Sequence, residues 1–65
     1  MRIIGEEGFL LFVEDLPEGL TVGDYWVEDD RVKRIVFVDR VDECIGLLPV
    51  KRRTAQRVLR GMRGE

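Results

Sequence analysis

The stretch Val41-Asp42-Glu43-Cys44-Ile45-Gly46-Leu47-Leu48-Pro49-Val50 decides the architecture of this chain, because it reads in two ways. Val41, Cys44, Ile45 and Leu48 recur at i, i+3, i+4 and i+7, the spacing of one helical face. Against that, Gly46 sits mid-segment, and Ile45-Gly46-Leu47-Leu48 is an apolar run of the kind found in a closing strand. Pro49 ends either element, and its fixed φ suits the first turn of a following helix. A strand here makes a small β-rich α+β domain. Four or five antiparallel strands would then curl into a partly open barrel or bent sheet, with one C-terminal amphipathic helix. A helix here instead makes β-hairpins followed by a C-terminal helix-turn-helix. The first is the expected fold and the second the alternative.

Upstream, Arg2 to Ile4 reads as a short strand, and Glu6-Glu7-Gly8 as a turn. Phe9 to Val13 reads as a second strand whose apolarity is continuous, so both of its faces need cover: the core on one side, the C-terminal helix or a second subunit on the other. Leu16-Pro17-Glu18-Gly19 is turn chemistry, with Pro17 presetting φ and Gly19 in the fourth position; Thr21 and Val22 extend briefly before Gly23. Tyr25 to Glu28 and Arg31 to Val38 form the arms of a β-hairpin with Asp29-Asp30 at its tip. Asp-Asp is a weaker turn signal than Asp-Gly, so the turn type stays open.

Downstream, a helix is expected over about residues 50 to 62. Ala55, Val58, Leu59 and Met62 make one apolar stripe, and the basic residues fall on the opposite arc. Gly61 and Gly64 fray its end.

A chain of 65 residues makes one domain, residues 1–65, here divided into an acidic β-rich part, 1–48, and a basic helix, 49–63. From Lys51 to Glu65 there are six cations against one acid, a net of +5, whereas residues 1–50 carry a net of −7. The overall charge of −2 therefore hides a bipolar molecule. An acidic balance excludes a protein that coats polyanions with its whole surface. It leaves open one cationic face, since fields fall off within about 8 Å in physiological salt.

So short a chain buries only about 60% of its unfolded surface, which leaves the core marginal. Cys44 is alone, so no internal disulfide can help, and with no His and one Cys there is no zinc ligand set. Neither a metal nor a cofactor is implied. Oligomerisation and ion pairing remain, and a homo-oligomer is expected. The charged fraction is 37%, Asn, Ser and His are absent, and Gln56 is the only Gln. Depletion of thermolabile amides alongside many charges is the composition of a thermophilic source. The longest apolar run is Phe9 to Val13, far short of a membrane span, and Met1 to Gly5 lacks a secretion signal; a lone Cys fits a reducing compartment. A cytoplasmic protein that does not enter membranes is expected.

Catalytic chemistry is sparse. Without Ser or His there is no Ser-His or Cys-His pair, and Cys44 among apolar neighbours reads as a buried inert thiol. Glu28, Asp29, Asp30, Asp39, Asp42 and Glu43 follow no calcium-loop spacing and read as solvated turn acids. No Gly-rich phosphate loop occurs. The chain is read as a non-enzymatic binding module.

Its candidate contact residues are Lys51, Arg52, Arg53, Gln56, Arg57, Arg60 and Arg63. Lys51, Arg52 and Arg53 sit at the positive end of the helix dipole, where each exposed cation costs a few tenths to about 1 kcal/mol. The same arrangement of cations and open N–H groups suits a phosphate, and nucleic acid is the leading partner. The competing reading has this face docked on acid groups, either the chain's own acidic strands or an acidic protein partner, in a protein-interaction or structural module.

Leu48-Pro49-Val50-Lys51-Arg52-Arg53-Thr54-Ala55-Gln56-Arg57-Val58-Leu59-Arg60 resembles the turn and recognition helix of helix-turn-helix DNA-binding proteins. Val50 stands where an apolar residue closes the turn, and Thr54, Ala55 and the pair Val58-Leu59 follow the pattern. The resemblance implies Arg52, Arg53, Gln56 and Arg57 facing bases and phosphates. Ile45 replaces the small residue expected in the preceding helix, and Pro49 the turn glycine.

A secondary surface is Trp26 with Arg31 and Lys33, joined by Tyr25 and Arg34, since an aromatic among cations on a sheet can stack on bases. The plainer reading puts Trp26 in the core of a small barrel. A hairpin, further strands and a C-terminal helix are similar in layout to small archaeal chromatin proteins of SH3-like fold. Those proteins are strongly basic, so the similarity concerns architecture.

Overall fold

A computed structural model describes residues 1–63; Gly64 and the acid Glu65 lie outside the described residues. Five strands, β1 (Arg2–Glu7), β2 (Leu10–Glu14), β3 (Tyr25–Glu28), β4 (Arg31–Asp39) and β5 (Cys44–Pro49), precede one helix, α1 (Arg52–Met62). The strands form a single antiparallel sheet in the order β1-β2-β5-β4-β3, curled into a half-barrel. The expected α+β architecture is the observed one.

Both outer hairpins close through two-residue loops with left-handed backbone. Glu7 pairs with Leu10 across Gly8-Phe9, and Gly8 at φ 59° supplies the conformation that only glycine adopts freely. Glu28 pairs with Arg31 across Asp29-Asp30, both at positive φ (50° and 61°), the pattern of a type I′ turn. The backbone twist of such a turn matches the right-handed twist of the strands, so the acidic pair stands in for the usual Asn-Gly.

Residues 44–49 are a strand, which removes the helix-turn-helix alternative. Asp39 Oδ1 accepts the N–H groups of Val41 (2.9 Å) and Asp42 (3.0 Å), making a short turn that stops at Glu43 in left-handed backbone, φ 52°. Val41, needed for the helical stripe, is 91% exposed in that turn. The strand that follows pairs with β2 on one side and β4 on the other. Pro49 ends this strand and does not open the helix, which begins at Arg52. Residues 21–22 join no strand, β1 runs on to Glu7, and β2 starts at Leu10 instead of Phe9.

The core fills the concave face. Leu11, Val13, Trp26, Ile35, Ile45 and Leu47 cluster there, with Leu16, Leu20 and Val38 packed against them. Leu16 and Leu20 come from the segment 15–24, which is tied to β4 by Gly23 N–H to Ile35 O (2.8 Å) and Ile35 N–H to Asp24 O (2.9 Å). Arg40 holds the same segment by donating to the Pro17 carbonyl at 3.2 Å.

A bulge in β4 decides which apolar side chains reach this core. Ile35 pairs with Leu47 but Phe37 with Gly46, so Val36 is extra and the alternation changes phase. Val38, opposite Ile45, then faces inward and Phe37 outward. On the outer face Phe37 and Phe9 close over Gly46. A Cβ at this position would stand 2.9 Å from Phe37 Cβ and 2.9 Å from Phe9 Cε2. Phe9 and Phe37 themselves stay half-exposed, at 53% and 43%. Continuous apolarity in this stretch thus serves to cover β5 and does not imply burial of every residue.

Helix α1 lies on the outer face, in contact with β4. Val32 is buried without belonging to the inner cluster, and alternation from Ile35 puts it beneath the helix. No residue of α1 is fully buried: Thr54, Ala55, Val58 and Leu59 are half-buried, while Met62 is 66% exposed. Met62 therefore does not belong to the docking stripe, which is one turn shorter than its periodicity predicts.

Replacing Gly46 with Ala should destabilise the domain by about 1–3 kcal/mol, because Phe37 Cβ is fixed to the backbone and cannot give way. Chemical denaturation measures this, and an unchanged midpoint would show that the Phe9–Phe37 closure is slack.

Candidate nucleic-acid interface

The outward arc of α1 follows from helix geometry. At about 100° per residue, Arg53, Gln56, Arg57 and Arg60 fall within about 100° of one another, opposite the half-buried Ala55 and Val58. All four are exposed. Arg52 and Arg63 stand on one flank, and Lys51 is the N-cap residue.

This end of the helix is left open. Lys51 has extended backbone (φ −62°, ψ 149°), makes no side-chain cap, and no acid occupies the first turn. The first helical hydrogen bond runs from Ala55 N–H to the Lys51 carbonyl at 2.9 Å. The N–H groups of Arg52, Arg53 and Thr54 precede it and have no partner within the helix. Beside them a hollow of about 340 Å³ is lined by Arg34, Val36, Leu48, Pro49, Val50, Lys51 and Thr54. Arg34 thus joins the basic helix end from the sheet, a neighbour that charge counting along the sequence alone does not give.

Two ion pairs occur among the described residues: Arg2 with Glu14 at 2.8 Å, and Arg63 with Asp30 at 3.7 Å. The second links the end of α1 to the β3–β4 tip, so Arg63 has a carboxylate neighbour within the chain. Lys51, Arg52, Arg53, Arg57 and Arg60 have none among the described residues.

The secondary surface divides. Adjacent residues of a strand face opposite ways, and Trp26 lies inward while Tyr25 lies outward. Tyr25 is engaged by Arg34, whose Nη2 donates to Tyr25 Oη at 2.8 Å and whose guanidinium carbon is 5.2 Å from the ring centroid. Trp26, Arg31 and Lys33 do come together, around a cleft of about 420 Å³ at the open end of the half-barrel. Trp26 is only 8% exposed, and its Nε1 donates to Glu28 Oε2 at 3.4 Å. Glu6, Glu28 and Asp29 line the same cleft, placing acids where a phosphate would have to enter. Trp26 is therefore a core residue at the cleft wall.

Comparison with known proteins finds no match for this chain: no family model, no curated protein and no solved structure. Among the described residues, no helix is long and apolar enough to cross a membrane.

Cys44 is buried within β5. Burial pushes its thiol above the ordinary value, and the nearby carboxylates of Asp39 and Asp42 push it further. The raised pKa leaves little thiolate at neutral pH, so Cys44 should react far more slowly with iodoacetamide than a free thiol, and its rate should climb only at higher pH. Mass-spectrometric labelling of native against denatured protein checks this, with fast native labelling as the contrary result.

Proposed function

We propose that this chain is a non-enzymatic module that binds nucleic acid through the outward face of α1, with Lys51, Arg52, Arg53, Arg57 and Arg60 on phosphates and Gln56 at base edges. The observation that carries this reading is the set of exposed cations on α1 without ion pairs among the described residues, in a chain whose first fifty residues hold a net of −7. Had these arginines served to neutralise the chain's own acids, ion pairs to the strands would be expected; of the cations on α1 and its ends, Arg63 alone makes one among the described residues.

Helix energetics supports the same reading. Arg52 and Arg53 at an uncapped N-terminus cost stability, which a bound phosphate would reverse by accepting the open N–H groups and meeting the positive end of the dipole. Gln56 can donate to and accept from an adenine edge, and arginines can bridge phosphates or guanine. Acids at the β3–β4 tip gather at the far end of α1, beside Arg63, and leave the N-terminal half of the helix basic. This reading rests on charge and geometry, since a strand precedes α1 where helix-turn-helix proteins have a helix.

Binding of duplex DNA should weaken steeply with salt. Four to six engaged cations give a slope of roughly −4 to −5 for log K against log salt, measured by fluorescence anisotropy. No retention of duplex or single-stranded nucleic acid in low salt would transfer the face to an acidic protein partner.

The double variant Arg53→Ala/Arg57→Ala should bind at least several-fold more weakly with little change in melting temperature, because both side chains are exposed and off the docked stripe. Earlier melting with unchanged binding would make the pair structural. Quenching of Trp26 by DNA, with the arginine variant binding normally, would move the interface to the cleft.

A further inference from the structure

The two edges of the sheet differ. The β3 edge is four residues long and runs into the acids Asp29 and Asp30. The β1 edge is six residues long, pairs only with β2, and carries exposed Ile3 (43%) and Ile4 (61%) beside Met1 (66%). It holds neither Pro nor Lys; the edge features that a pairing strand must accommodate are the bulge at Ile4 and Glu6, which shares the inner face with its neighbour Leu11.

We infer that β1 pairs antiparallel with β1 of a second copy of this chain, joining two five-stranded sheets across a two-fold axis. The occupant follows from charge. Arg2-Ile3-Ile4-Gly5-Glu6-Glu7 is positive at one end and negative at the other, so antiparallel pairing with itself sets opposite charges face to face, twice. Parallel pairing would set like against like. The β3 edge has no such complementarity.

A bulge selects the register. Arg2 pairs with Glu14 and Ile3 with Val13, but Gly5 pairs with Phe12 and Glu7 with Leu10, so Ile4 is extra. Arg2, Gly5 and Glu7 consequently share the outer face, whereas a regular strand would put Arg2 and Glu7 on opposite faces. Residues opposite one another across antiparallel strands lie on the same face. The register that opposes Arg2 to Glu7 of the partner meets this condition, and opposing Arg2 to Glu6 does not. It also brings Ile4 against Gly5 of the partner, where a Cβ built on Gly5 meets nothing within 4 Å. Arg2 already touches Glu14, yet its side chain is 79% exposed and retains donors for a second carboxylate. The two-fold axis stands normal to the joined sheet, so both copies of α1 lie on one side of it.

Sedimentation equilibrium of the full chain from micromolar to millimolar concentration should show mass rising from 7.6 kDa toward the dimer. Glu7→Arg, which sets cation against cation, should weaken association about tenfold or more, close to 1.4 kcal/mol. The swap Arg2→Glu/Glu7→Arg should recover part of it, with circular dichroism confirming the fold of each variant. A register readout stands apart from affinity: Arg2→Cys/Glu7→Cys should oxidise to a covalent dimer, while either single variant should not. A monomer throughout, or a dimer indifferent to Glu7→Arg and to the paired cysteines, overturns the proposal.

Discussion

The whole fold depends on hiding β5 from both sides. Cys44, Ile45, Gly46 and Leu47 are four consecutive buried residues in a chain with few buried residues to spare. A strand buried on both faces needs a neighbour on each edge and a cover on each face. β2 and β4 supply the edges. Leu16 and Leu20 help cover the inner face, and Phe9 and Phe37 cover the outer one by closing over a residue without a side chain. The bulge in β4 and the left-handed loops serve this arrangement, since each sets the phase or the reach of a strand next to β5.

The helix stands outside that requirement. With no fully buried residue it contributes one partly buried stripe and shields Val32, while the sheet supplies the rest of the core. Elements with little buried apolar area open at low free-energy cost, so α1 is where a small domain can carry unfavourable charge without losing its core. The uncapped, cation-rich N-terminus is placed accordingly. Most of the core resides in the sheet, and the charge proposed for binding resides on an element that contributes no fully buried residue.

Reading the residues in order reached the strand-rich plan, the hairpin with its acidic tip, and the helix with its basic arc, because each is written in local spacing. Residues 41–48 stayed open on those grounds, Gly46 and the apolar run standing against a helical stripe that needed Val41; pairing with β2 and β4 makes 44–49 a strand and leaves Val41 exposed. What local spacing does not contain is phase. Val36 and Ile4 look like ordinary members of alternating strands, and only their partners across the sheet show them to be extra. The separation of Trp26 from Tyr25 onto opposite faces was readable from alternation alone. Exposure of Met62 was not, since it depends on how far the sheet extends beneath the helix. The candidate site was legible as a charge pattern, whereas Arg34 as its neighbour and Arg63 as a partner of Asp30 depend on the packing of α1 against β4.

The central strand of the sheet is also the last strand in the chain. Each outer hairpin, β1–β2 and β3–β4, is local and can form as soon as it is synthesised, but neither can pair with the other until Cys44–Pro49 arrives between them. Pairing of β5 with β2 spans over thirty residues of chain, the kind of distant contact that slows folding. During that interval β2 presents Leu10-Leu11-Phe12-Val13 along an open edge, a short β-prone stretch without a charge. A nascent or truncated chain ending before Cys44 therefore holds two unjoined hairpins with exposed pairing edges, and its hazard is aggregation more than unfolding.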